Sequence, residues 1–291
     1  MVLVAGGFAF GVYLGATFLA PLLKQFDWRV AFYLGAVLSL VFIPLVYFFV
    51  PESISFLERK RPEGALERIQ VIMRRLGHSI PSSLPPLETR ESHPAGMASL
   101  FKPGLAPITF ILLFAYFGNV GTYYYFVKWI PTIVSDFGYT SSEATSVLGI
   151  ISLGGVIGSI GLSIIARFLP IRPLMVLCLV SAAAGVAVFP YFTDTLQSMK
   201  LVGFVTGLFI FAAISGFFGL FAVSYPSSLL GSGSGLVLGV GRGGAVLGPM
   251  IPGFLFAAGL LLPTIAIVMA SGSFLAGMAV MFLRPKDTAG Y

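Results

Sequence analysis

The chain has 291 residues, of which 57% are hydrophobic and only 10% charged, and it carries a net charge of +6. A soluble domain is about 25% charged, so an ordinary soluble enzyme and a disordered tail are excluded, and the single cysteine, Cys178, excludes a disulfide scaffold. With a mean hydropathy of +0.97, the composition is that of an all-α, polytopic membrane protein, in which excess Lys and Arg points to cytoplasmic loops before it points to nucleic acid.

Charge-free runs of about 20 residues, the length needed to cross the hydrocarbon, predict eight helices near 1–23, 31–50, 104–127, 144–166, 174–193, 201–223, 235–260 and 264–283. The first lacks a basic n-region and is too long for a signal peptide. It starts at Met1 with no leading cytoplasmic residues, so the expectation is an incomplete chain. The only long polar stretch, 51–103, separates two helices from six. Inside it, Leu66, Ile69, Met73 and Leu76 recur at helical spacing between Pro62-Glu63 and Gly77. That pattern predicts a short amphipathic helix on the cytoplasmic face. Ser79–Ser99 reads as a flexible linker, with His78 and His93 as solvated loop residues. Cys178 lies in an apolar run and reads as a small core residue. The long apolar runs near the end must break at Ser224–Ser234 and at Leu261–Pro263.

Orientation follows from cations. With Met1 inside, the inner segments hold Arg59, Lys60, Arg61, Arg68, Arg74, Arg75, Arg90, Lys102, Arg167, Arg172, Arg284 and Lys286. The outer segments hold Lys24, Arg29, Lys128 and Lys200. The bias places both termini in the cytoplasm.

Glycines four apart recur on three spans: Gly7, Gly11 and Gly15; Gly154 and Gly158; and Gly231, Gly235, Gly239 and Gly243. Such rows give a smooth helix face for close packing. Gly239-Val240-Gly241-Arg242-Gly243-Gly244 formally matches a dinucleotide fingerprint, but no strand precedes it and it sits in a hydrophobic helix, so that reading is rejected.

Arg242 is the remaining cation and lies inside a span. A buried charge there costs roughly 2.5–3.5 kcal/mol on insertion scales, so it needs a polar cavity or a partner. It suits a bidentate contact to a substrate carboxylate; alternatively it snorkels to the cytoplasmic face or braces a seam between helices. Asn119 and Tyr123, four apart, are the other candidate substrate contacts. Tyr124, Tyr125 and Trp129 sit where an interfacial aromatic belt is expected. No Asp or Glu lies inside any of the eight spans as drawn, and no nucleophile–base pair, metal cluster or phosphate loop is present.

Several segments, in order, resemble one family: Asp27-Trp28-Arg29, Pro51-Glu52-Ser53, Lys128-Trp129-Ile130-Pro131-Thr132, Tyr225-Pro226, and Gly239-Val240-Gly241-Arg242-Gly243-Gly244 running to Gly248-Pro249. They look like the second part of a major facilitator superfamily transporter, closest to the aromatic acid:proton symporters. The resemblance implies the major facilitator fold without its first four helices. Residues 1–50 would supply the last two helices of the N-terminal half, 51–103 the central cytoplasmic loop, and 104–291 the C-terminal six-helix bundle. It places the glycine rows on the seam between halves, with Pro249 among the packing or gating residues, and Arg242 at the family's Gly-Arg-x-Gly arginine. Where the family has Asp-Arg-x-Gly, this chain has Ala166-Arg167-Phe168-Leu169, and Leu230 stands where an Arg is common.

The functional expectation is a secondary symporter moving a small organic or aromatic carboxylate across the plasma membrane by alternating access. The alternatives are a non-transporting fragment needing a partner with the missing helices, and a facilitator for sugars or another substrate class. An enzyme, a metal, a cofactor and a nucleic-acid partner are not expected.

Overall fold

The protein is seen in a computed structural model, which describes residues 29–52, 54–75, 77, 83–84, 97–226 and 228–283, with scattered positions before residue 29. Among the described residues every regular element is helical. They form two compact units, residues 22–93, and residues 1–21 together with 94–291.

In the smaller unit, α1 (Arg29–Phe49) is followed by α2 (Ile54–Lys60) and α3 (Ala65–Arg75). The stretch Phe32–Phe49 has a mean hydropathy of 2.2, as a membrane span requires. The expected amphipathic helix is α3. It turns Ala65 and Ile69 onto Leu57 of α2, and Ile54, Ile72, Met73 and Leu84 close around them. α2 was not expected. Its seven residues are too few to display a period. The Ser79–Ser99 linker, with His78 and His93, lies mostly outside the described residues, although its end, from Met97, forms a 3₁₀ turn to Phe101.

The larger unit is a bundle of six helices: α4 (Ala106–Asp136), α5 (Ser141–Ile165), α6 (Ile171–Val188), α7 (Leu196–Ser224), α8 (Leu230–Ala257) and α9 (Leu262–Met281). With α1 they make seven helices long and apolar enough to cross a membrane. The expected span near 1–23 lies mostly outside the described residues. Helix ends correct the sequence reading in three places. α4 runs past the expected residue 127 to Asp136, because Lys128 and Trp129 mark the end of the hydrocarbon, not of the helix. α5 and α7 start at Thr140 and Thr195, each in a reciprocal capping box with the residue three further on, Glu143 and Ser198. α8 stops at Ala257, Gly259 turns the chain in the left-handed region (φ 80°), and α9 resumes at Leu262, ahead of the Pro263 at its first turn.

Close packing explains much of the glycine content. A Cβ on Gly154 or Gly158 of α5 would run into the backbone carbonyls of Phe204 and Leu208 on α7, and one on Gly207 into that of Ile151. α4 meets α8 in the same way: a Cβ on Gly244 would run into the Phe117 carbonyl and one on Gly248 into the Gly121 carbonyl. Gly118 and Gly272 bring α4 and α9 together reciprocally, since a Cβ on either would run into the carbonyl of the other. In lipid, where apolar surface gains little by pairing with other apolar surface, such backbone approach is a main source of helix association.

Polar side chains pin the contacts. Thr122 Oγ1 donates to the Met269 carbonyl at 2.6 Å and accepts from the Ser273 backbone N–H at 3.0 Å. Ser159 and Ser215 share a hydrogen bond of 2.9 Å between α5 and α7. Arg172, in the first turn of α6, donates to the carbonyls of Val280 and Met281, which a helix C-terminus leaves without partners. Tyr225 of the Tyr-Pro pair is buried. Its hydroxyl donates to Thr109 Oγ1 (3.3 Å), which donates to the Leu100 carbonyl (3.1 Å). Burial pushes this phenol above its ordinary pKa, so it stays a donor at neutral pH. Cys178 is buried and free.

Candidate functional site

Arg242 sits twelve residues beyond Leu230 in a 28-residue helix. That is about 18 Å along an axis of roughly 42 Å at ~1.5 Å per residue, so it lies near the middle of the helix, further along it than a helix start near Gly235 implied. Arg242 is exposed on its helix, and its Nη1 donates to the Tyr124 hydroxyl of α4 at 3.4 Å. Among the described residues it has no acidic partner within ion-pair distance. Its neighbours on α8 seat it firmly: Gly241 abuts the Tyr116 ring and Gly243 lies against Phe117, 2.9 Å from a would-be Cβ.

Asn119 and Tyr123 point elsewhere. Asn119 is fully buried, its Oδ1 accepts from Ser273 Oγ at 3.0 Å, and its Nδ2 has no partner. Tyr123 is buried, edge-on to Phe211 of α7. The structure thus brings Arg242 to Tyr124, one residue on from the expected Tyr123, and no hydrogen bond links Arg242 to Asn119 or Tyr123. On a helix, residues 123 and 124 point about 100° apart, so one faces the bundle and the other the open side of α8. Ser273 and Thr122 complete the Asn119 cluster. Nothing in the sequence singles them out, because short hydroxyl residues are common in membrane helices.

The remaining expected packing residues divide. Gly154, Gly158 and Gly243 make the contacts described above. Among the described residues, a Cβ on Gly7, Gly11, Gly15, Gly235 or Gly239 would meet nothing within 4 Å. Pro249 breaks the backbone ladder of α8, since it has no N–H for the Ala245 carbonyl. Its own carbonyl accepts from the Trp129 indole at 3.0 Å, and that ring stacks on Phe256. A cavity of about 270 Å³ opens between α4, α8 and α9, walled by glycines and apolar side chains in equal number, with Thr122 and Ser271 as its polar side chains. Among the described residues no three His, Cys, Asp or Glu side chains are grouped to hold a metal ion.

The family model of the Major Facilitator Superfamily matches residues 1–249. The 3-(3-hydroxy-phenyl)propionate transporter of Escherichia coli is 27% identical over 280 residues, covering 95% of this chain and 61% of that protein. The gallate transporter of Pseudomonas putida is 27% identical, covering 94% and 61%. The gentisate transporter of Corynebacterium glutamicum is 31% identical over 220 residues, covering 69% and 46%. The chain spans about three-fifths of the length of the first two, by the 61% coverage of each.

Proposed function

The chain belongs to the Major Facilitator Superfamily and is an all-α, multi-pass membrane protein; from that premise we propose that it carries a small aromatic carboxylate across the plasma membrane as a symporter, by alternating access. The observation that carries this reading is Arg242, a guanidinium midway along an apolar helix, on its exposed face and with no acidic partner among the described residues. Intramembrane charges are tolerated where they face a cavity, partner or substrate, and a planar fork suits a carboxylate. The relatives named for gallate and gentisate act on ring carboxylates, which supports the same class.

In this reading 104–291 is the C-terminal six-helix bundle, 51–103 the central loop and 1–50 the preceding pair of helices. The cation bias puts both termini in the cytoplasm. Asn119 and Tyr123 stand behind Arg242 within the bundle, and the unpaired Asn119 Nδ2 would reach solute only when α4 and α9 part. A second reading keeps the bundle but requires helices from a partner for activity. The uncovered Gly235 and Gly239 of α8 favour it, because small residues in a row suit close helix approach; co-expression with a four-span partner separates the two.

The test is equilibrium binding of labelled gallate to the purified chain in nanodiscs. Saturable binding displaced by benzoate, and at least about tenfold less well by benzamide, is expected, since a charge-assisted pair contributes roughly 1.5–3 kcal/mol. Equal displacement by the acid and the neutral amide would refute a carboxylate site.

A further inference from the structure

The Arg242 guanidinium of α8 meets a side chain of another helix, Tyr124 of α4. The Tyr124 ring stands edge-on to Tyr123 (5.2 Å between centroids, 87°), and Tyr123 stands edge-on to Phe211 (5.1 Å, 89°). Tyr123 and Phe211 are each 3% exposed. Three rings therefore run from the core of α7 through α4 to the surface where α4 meets α8. Edge-on ring pairs attract beyond the burial of their surface, so the row restricts the Tyr124 ring and the hydroxyl at its end. That hydroxyl accepts from Arg242 Nη1 at 3.4 Å. The backbone of Arg242 is held equally firmly, with Gly241 against Tyr116 and Gly243 against Phe117.

A guanidinium has five N–H donors in one plane. One donated to a phenol oxygen biases the orientation of that plane and leaves the other edges free. We infer that Tyr124 is a positioning residue: its hydroxyl holds the Arg242 guanidinium in the orientation that accepts a substrate carboxylate by two parallel hydrogen bonds. The inference rests on the reading of Arg242 as the carboxylate contact. It also gives Tyr123 a task, bracing the Tyr124 ring, that does not require Tyr123 to touch solute. The arrangement lowers the entropic cost of binding, since a side chain already held in its bound rotamer loses less freedom on association.

The test compares benzoate and benzamide binding to the full chain in nanodiscs for the wild type, Tyr124→Phe and Arg242→Leu. Tyr124→Phe keeps the ring row and removes only the hydroxyl. It is expected to weaken benzoate about fivefold, to leave benzamide unchanged and to leave the thermal midpoint unchanged. Equal weakening of acid and amide would mean that the hydroxyl only shapes the bundle, and would overturn the inference. Wild-type benzoate affinity in Tyr124→Phe, with loss in Arg242→Leu, would also overturn it while leaving the carboxylate reading standing. Wild-type benzoate affinity in Arg242→Leu would remove both.

Discussion

Gly158→Ala is expected to destabilise the bundle by about 2 kcal/mol, within the 1–3 kcal/mol typical of an overfilled core. At roughly 2–4 °C per kcal/mol for a unit of this size, its thermal midpoint in detergent should fall by about 4–8 °C. The added methyl would run into the Leu208 carbonyl, which is backbone and cannot rotate away, so α5 and α7 must separate. Separation would also stretch the Ser159–Ser215 bond of 2.9 Å. Gly161→Ala on the same helix is the control: a Cβ there meets nothing within 4 Å. By helix propensity alone, replacing glycine by alanine gains up to about 1 kcal/mol. The two substitutions should therefore move the midpoint in opposite directions. A fall of the same size in both would mean that α5 and α7 do not pack through their backbones.

Arg242→Leu is expected to lower uptake of an aromatic carboxylate about 100-fold, the equivalent of ~3 kcal/mol at 1.4 kcal/mol per tenfold. The substitution removes a charge that costs roughly 2.5–3.5 kcal/mol to place in the hydrocarbon, so the variant should insert at least as well as the wild type. A loss of uptake with normal membrane levels would then be a loss of substrate contact. Arg242→Lys keeps the charge but not the planar fork, so it should recover only part of the rate. Uptake rates and membrane abundance, measured on the same cells, check both variants. Full uptake by Arg242→Leu would exclude the arginine from the carboxylate path.

The helices from 106 to 281 were legible because each is an apolar run bounded by charge or proline. The break after Ser224 and the amphipathic α3 followed from the same signals. The reach of α4 to Asp136 was not legible, because polarity marks the edge of the membrane and helix propensity does not stop there. The glycine rows announced close packing, but a row alone cannot say which neighbour it meets. Gly154 and Gly158 meet α7, whereas Gly235 and Gly239 have nothing within 4 Å. Arg242 stood out as a charge in a hydrophobic helix. Its partner did not, since Tyr124 belongs to a run of three tyrosines, and only the rotation of α4 against α8 decides which of them faces the arginine.

The most direct measurement is uptake of labelled gallate into proteoliposomes containing this chain, with and without an inward proton gradient. The account predicts saturable uptake that the gradient accelerates and that benzoate inhibits far better than benzamide. Uptake no faster than into protein-free liposomes, at every substrate concentration and with the gradient imposed, would contradict it.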